Sequence, residues 1–396
     1  MAVNDNFYKM INELVNRASS GTIDEIVDYS TFIDAGRKIS ALQGNDFTNA
    51  FNEEFMNKVH LTLDTFRGYD DAYQDMMQGM LPANGIIEII TSALYETREA
   101  PFANLVNDSS VDQYKIAKPK GKVEYFTKDV AYQIPLTIQR AELIGAFESP
   151  EKMDTYLRKC VGAIVNSNRV ARENARIGLV ADAIMKASKE TEATSSDIPS
   201  RHYNLLKLYN DITGAGLTSD NCLYNAEFVR YAVGQIKVVM SKLKKYSNSY
   251  NEAGAYTFTP EDKSERHIYV NSRFSSAMEV YIRPEPGDRR TILLDNYVDV
   301  PYWQCEDFPL QVQAVDPDDA SDEPEEVLSP KTICVLFDRF ALMEYLCFES
   351  MEASPYNASG RYYNNFLNVQ AKLVSNTNAN LVIFTIEDED EEPAEE

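Results

Sequence analysis

After Pro150 the chain contains no proline through Ser188 and is rich in helix formers, and the segment opens with Ser149-Pro150-Glu151, an N-cap residue followed by proline at the first helical position. Met153, Leu157, Cys160, Val161 and Ile164 start an apolar stripe that runs on to Ile184. A single helix of that length would span about 58 Å. Gly162 and Gly178 are the positions where it would bend. A compact enzyme would be expected to divide such a helix, so this one segment already points towards an extended architecture.

The residues just before it read as strand. Val130, Tyr132, Ile134, Leu136 and Ile138 alternate with Ala131, Gln133, Pro135, Thr137 and Gln139, which gives one apolar face. Pro135 cannot donate to a ladder and therefore places the strand at a sheet edge. Upstream, Tyr114-Lys115-Ile116 and Val123-Glu124-Tyr125 flank the turn chemistry of Pro119-Lys120-Gly121. The segment 111–148 is read as a long two-stranded hairpin. An isolated hairpin is marginal in water, so it needs a surface to lie on.

Residues 1 to about 80 look helical, with Phe7, Met10, Ile11, Leu14 and Val15 at helical spacing and Phe51, Phe55, Val59 and Leu63 repeating the pattern. The apolar run Ile86 to Leu94 is taken with them. These short helices suggest an arm lying on something else rather than a bundle. A second strong helix is expected from Asn225, carrying Phe228, Ala232, Ile236, Val239, Met240 and Leu243 on one face. Strands are expected at Ile268–Val270, Thr291–Leu294, Leu310–Val315, Thr332–Phe337, Leu367–Leu373 and Leu381–Phe384.

Charge is uneven along the chain. The formal net charge is −24. Seven acids lie between Asp316 and Glu326, and eight more among residues 387–396, which leaves the rest of the protein only mildly acidic. Both runs read as solvated, the first as a loop and the second as a disordered tail. Between Lys115 and Lys128 the balance reverses, with Lys115, Lys118, Lys120, Lys122 and Lys128 against the single acid Glu124. A solvated tip, a nucleic-acid patch and docking onto an acidic surface of another copy are the three readings. The lack of arginine and the acidic whole disfavour the second.

Chemistry-bearing motifs are scarce. Cys160, Cys222, Cys305, Cys334 and Cys347 are odd in number and widely spaced, which suits free thiols in a core. His60, His202 and His267 are not paired at ligand spacing, so no histidine metal site or triad is expected. There is no Gly-rich phosphate loop, nucleophile elbow or H-E-x-x-H. The sequence points to no catalytic residue, metal or cofactor. The longest apolar runs fall far short of the roughly 20 residues of a membrane span. Met1 to Asn6 has neither a basic start nor an apolar segment, so a soluble protein made in a cytosol is expected.

The order of helical arm, hairpin, very long helix, mixed insertion and returning strands resembles the major capsid proteins of tailed bacteriophages, with their α+β Hong Kong 97-type fold. Phe337-Asp338-Arg339-Phe340, Arg361-Tyr362-Tyr363-Asn364-Asn365-Phe366 and Val382-Ile383-Phe384 look like the peripheral-domain strands of short-tailed phage capsid proteins. The resemblance covers roughly residues 85–386. It implies a helical N-terminal arm (1–85), the start of a peripheral domain (86–110), an extended loop (111–148) and a spine helix (149–200). It further implies an axial domain (201–330) holding the acidic loop 316–326, then peripheral strands (331–386) and the acidic tail (387–396). The extended loop would contact a neighbouring subunit through Lys115, Lys118, Lys120, Lys122, Lys128, Tyr125, Tyr132 and Ile134, the lysines lying against its carboxylates. The implied partners are many copies of the chain in pentamers and hexamers, with portal and scaffolding or decoration proteins, around DNA bound without sequence specificity. The implied location is the virion, after synthesis in the host cytoplasm. No scaffolding or cleaved prodomain is evident. An encapsulin-like shell subunit and an enzyme of unrecognised class are the alternatives. A mildly acidic wall would also avoid trapping a packaged genome.

Overall fold

The computed structural model describes Asn12 and residues 25–41, 72–82, 85–92, 94, 100, 106–107, 121–126, 129–193, 195, 198–282, 294, 296–301, 303 and 331–388. In chain order the elements are α1 (Tyr29–Ala41), β1 (Met77–Met80), β2 (Ile87–Ser92), β3 (Gly121–Phe126), β4 (Asp129–Gln139), α2 (Arg140–Ala146) and α3 (Pro150–Ser188). They continue with β5 (His202–Asn204), α4 (Leu205–Thr213), α5 (Ala226–Leu243), β6 (Arg266–Asn271), α6 (Ser272–Tyr281) and β7 (Val298–Val300). The last are β8 (Thr332–Asp338), β9 (Leu342–Ala353), β10 (Tyr362–Ser375) and β11 (Leu381–Thr385). The chain divides into two units, each assembled from three separate stretches: 1–85, 129–174 and 345–372 in the first; 86–128, 175–344 and 373–396 in the second.

In the first unit four strands pair in the order β1-β9-β10-β4. β4 runs antiparallel to β10, with Ile138 opposite Tyr363, Ile134 opposite Leu367 and Tyr132 opposite Val369. The alternation read from the sequence is realised. Tyr132, Ile134, Leu136 and Ile138 turn inward, while Ala131, Gln133, Pro135, Thr137 and Gln139 are exposed. On that outer face Gln133 Nε2 donates to Asn368 Oδ1 (2.6 Å) and Thr137 Oγ1 to Asn364 Oδ1 (2.8 Å), as cross-strand neighbours should. β4 is an edge strand, so Pro135 takes no donor from the sheet interior. The inner face packs with Met153, Leu157, Cys160 and Ile164 of α3, and with Ile26, Phe32 and Ala35 from the α1 region. Gly36 is needed there, since a Cβ at this position would come within 2.7 Å of the Phe147 carbonyl oxygen.

α3 starts where the cap predicts, Ser149 Oγ accepting from Lys152 N at 3.2 Å. It is helical throughout, Gly162 and Gly178 included.

In the second unit five strands pair in the order β5-β11-β8-β6-β7. β8 and β11 are buried on both faces along most or all of their length, which explains their almost unbroken apolar sequences. Against them lie Phe228, Ala232, Ile236, Val239 and Leu243 of α5, with Phe274 and Met278 of α6 and Leu205 and Leu208 of α4. Asn225 caps α5 by accepting from the backbone of Glu227 and Phe228. Cys160, Cys222, Cys334 and Cys347 are buried free thiols, and Cys305 lies outside the described residues.

Several expectations are corrected. The segment 111–148 does not form one hairpin: β3 pairs with β2, and β4 pairs with β10 more than 220 residues later. Local pattern specifies a strand's face but not its partner. The run Ile86 to Leu94, grouped with the helices, contains the strand β2. The helical arm, expected to lie on something else, packs at α1 against its own chain: Phe32 is fully buried and stacks on Phe147 with ring centroids 5.8 Å apart. β8 and β11 pair with each other, and with β6 and β5 respectively. The acidic tail is held at its start. Asn204 Nδ2 donates to the Glu387 carbonyl (3.1 Å), and Asp388 Oδ1 accepts from Ser219 N (2.7 Å). The helices around Phe7–Val15, apart from Asn12, and around Phe51–Leu63, the strand Leu310–Val315, most of Thr291–Leu294, the acidic loop 316–326 and residues 389–396 lie outside the described residues.

Two buried polar features of the second unit escaped sequence reading. Arg176 Nε donates to Glu344 Oε2, both side chains being 2 % exposed. The Asp338 carboxylate accepts from Thr259 Oγ1 and from Asn380 N, where Asn380 also bonds Thr257 and Thr259. Burial pushes the Asp338 carboxyl up to about 6, opposed by the bonds from Thr259 and Asn380.

Two predictions follow from these features. Arg176→Met alone removes the counter-ion of a buried carboxylate and should cost roughly 3–5 kcal/mol in urea unfolding, whereas Arg176→Met with Glu344→Leu should recover most of that loss. A double variant as unstable as the single one would remove the pair from the account. For Asp338, the folded state binds its proton more tightly than the unfolded state. Its contribution therefore favours folding below about pH 4 and turns unfavourable as pH rises through about 6, by on the order of 2–3 kcal/mol. Urea midpoints of wild type and Asp338→Asn at pH 4.5 and 7.5 should show wild type losing ground to the variant at the higher pH; a constant difference would contradict the assignment.

Candidate subunit-docking surface

β2 and β3 form a two-stranded antiparallel sheet in the register Ile87–Phe126, Glu88–Tyr125, Ile89–Glu124, Ile90–Val123, Thr91–Lys122 and Ser92–Gly121. The period of two sorts the residues onto two faces. Ile87, Ile89, Glu124 and Phe126 share the more covered face. Glu124 Oε1 on that face accepts from Thr377 Oγ1 at 2.7 Å, which fixes the sheet to the turn before β11.

The other face carries Glu88, Ile90, Val123 and Tyr125, and it is open. Ile90 is 66 % exposed and Tyr125 63 %, with Val123 beside them and Ile86 at the strand's start also exposed. Tyr125 Oη donates to Glu88 Oε1 over a long 3.4 Å, so the ring is steadied without being buried. Among the described residues nothing covers this strip. Three cross-strand apolar side chains in water forgo the ~25 cal/mol per Å² that burial would return. An open apolar strip of this kind marks a candidate docking surface.

The residues expected to contact a neighbour do not come together as one site. Tyr125 stands on the open face. Lys122 lies in β3 opposite Thr91, while Lys115, Lys118, Lys120 and Lys128 lie outside the described residues. Tyr132 and Ile134 sit in β4 and face the first unit's core. Tyr132 Oη donates to Asn168 Oδ1 (2.6 Å), whose Nδ2 donates to Glu349 Oε1 (3.2 Å), and Ile134 packs against the cluster containing Leu367. Those two positions are already spent on internal packing. Ile90 and Val123 were missed because Ile86–Leu94 was read as helical; the β-branched Ile87-Glu88-Ile89-Ile90-Thr91 run was the available strand signal.

Among the described residues no helix is long and apolar enough to cross a membrane. No curated protein matches the chain. Among solved structures, a chain of the capsid structure of Staphylococcus phage Andhra is similar over 82 % of this chain and 86 % of its own, at 10 % identity and a TM-score of 0.51. A chain from the structure of the head fiber and inner core protein gp22 of native bacteriophage P68 is similar over 81 % and 86 %, at 10 % identity and a TM-score of 0.49. At such identities the Andhra likeness speaks for the fold alone, and it supports the mixed α+β arrangement of Hong Kong 97 type. The stronger finding is at the level of sequence. The model of the Phi29-like phage major capsid protein family matches residues 11–385, nearly the whole chain, and the chain therefore belongs to that family.

Proposed function

We propose that many copies of this chain assemble, as pentamers and hexamers, into the closed icosahedral head that surrounds the double-stranded DNA of a tailed phage, one with a short tail. The observation that carries the proposal is the open apolar face of the β2–β3 ribbon, Ile90, Val123 and Tyr125, on a protein of a capsid family. In this reading the ribbon is the extended loop, and its occupant is a second copy of the chain. The four-stranded sheet with the first half of α3 serves as the peripheral domain, and the five-stranded sheet with α4 to α6 as the axial domain. The chain acts as a structural component without a catalytic role. Portal and scaffolding or decoration proteins complete the set of partners, and the DNA is enclosed without sequence-specific contacts.

Charge supports the same contact. Copies of a chain of net charge −24 repel one another, and the lysines between Lys115 and Lys128 offset this where they approach a neighbour's carboxylates. Each exposed pair contributes only about 0–1 kcal/mol, but repetition around every subunit makes the sum matter.

Replacing Ile90 and Tyr125 together by Glu should leave a folded subunit, its urea midpoint within roughly 0.5 kcal/mol of wild type, since both side chains are exposed. The same variant should fail to form closed particles by negative-stain microscopy and size-exclusion chromatography. Normal particles from it would sink the docking role. Lys118→Glu, Lys120→Glu and Lys122→Glu combined should slow assembly in light scattering and make it need more salt, screening acting within about 10 Å at 0.1 M. An unchanged rate and salt dependence would mean that these lysines are merely solvated.

A further inference from the structure

At the β5 edge of the five-stranded sheet three ligand-bearing side chains meet that the sequence keeps far apart. His202 opens β5 opposite Ile383 of β11, and it is 2 % exposed. The carboxylates of Glu192 and Glu387 each bring an oxygen to it, and these oxygens and a ring nitrogen all lie within 4.8 Å of one another. Glu192 and His202 are ten residues apart, whereas Glu387 arrives from the end of β11. No spacing motif could have announced the group.

The surroundings orient it. His202 Nε2 lies 2.9 Å from Thr385 Oγ1. With Nε2–H donating to that hydroxyl, Nδ1 keeps its lone pair, and among the described residues no group meets hydrogen-bond geometry with Nδ1. A buried ring nitrogen left so is costly unless something binds it. The chain on either side is pinned as well. Ala193 N donates to the His202 carbonyl at 3.0 Å, and Asn204 Nδ2 donates to the Glu387 carbonyl at 3.1 Å.

We propose that Glu192, His202 and Glu387 form a divalent transition-metal site of the Zn²⁺ class. One imidazole nitrogen with two carboxylate oxygens is a donor set that Zn²⁺ accepts at about 2.0–2.2 Å, with water completing a tetrahedron. An outer hydroxyl on the far ring nitrogen is the usual device for fixing a ligating histidine. Hard cations such as Mg²⁺ prefer all-oxygen, largely hydrated shells and suit this set less well. Lys207 competes for the site, its Nζ lying 3.8 Å from Glu192 Oε2, a long and partly exposed contact that the ion would displace. The site would clamp the residues leaving β11 onto β5, next to Asp388, which Ser219 already holds. This inference is independent of the docking surface and of assembly.

The test uses the full-length chain without a polyhistidine tag, dialysed against Zn²⁺ at about 0.15 M salt with excess Mg²⁺, so that diffuse binding to an acidic protein is competed away. One Zn²⁺ per chain should be retained and the Tm should rise, because an ion that binds only the folded state stabilises it. Glu192→Gln and Glu387→Gln, at carboxylates that are not fully buried, should each leave a folded chain and lower the affinity at least about tenfold. Absence of stoichiometric Zn²⁺ in wild type, or wild-type affinity in either Gln variant, would overturn the site.

Discussion

A helix of 39 residues needs apolar cover along its whole length, and the rest of the fold follows from how that cover is supplied. Met153, Leu157, Cys160 and Ile164 of α3 are buried in the core beneath the four-stranded sheet. Val180, Ala183, Ile184 and Ala187, four turns further on, are buried in the other unit. No single small core could serve both ends. The chain therefore returns twice after residue 340, and β9 and β10 each cross the same division as α3. Because each unit is built from three separated stretches, most of its stability rests on contacts between distant parts of the sequence. Folding should be correspondingly slow compared with a helical bundle of equal size.

The same economy leaves the β2–β3 ribbon exposed. Two strands can bury one face against their own subunit, as Glu124 and Thr377 do here, but not both. For an isolated molecule the strip of Ile90, Val123 and Tyr125 is a liability. In the shell proposed above it would be the means of assembly, each copy offering the strip once and receiving a neighbour's once. Contacts of this kind are individually weak, which allows misplaced subunits to leave before a shell closes. The Phi29-like capsid family membership and the exposed ribbon thus support one another from independent directions.

Much of the fold was legible because its signals are local. The Ser149-Pro150 cap started α3, Asn225 capped α5, and the alternation from Val130 to Ile138 gave β4 its inner face and Pro135 its edge position. What was hidden is non-local. Nothing in residues 121–139 tells β3 to seek Ile87–Ser92 or β4 to seek Tyr362–Lys372, and the turn chemistry of Pro119-Lys120-Gly121 suggested that the whole segment 111–148 was one hairpin. For the same reason Tyr132 and Ile134 were read as outward contacts, although their own alternation places them inside. Arg176 with Glu344, and Asp338 with Thr259 and Asn380, were not singled out, because only the tertiary fold removes them from water. The group at His202 is a further case, joined across 185 residues.

The central claim is that the ribbon's open face is covered by a second copy of the chain in the assembled particle. Hydrogen exchange followed by mass spectrometry, run on free subunits and on intact shells, reads this directly at peptides spanning 87–92 and 121–126. These amides sit in a two-stranded sheet with two edges, so in the free subunit they should exchange quickly. In shells the account expects their exchange to slow by at least about tenfold, while peptides from β8 and β11, already buried on both faces, change little. Equal exchange of the ribbon in free and assembled protein would contradict it.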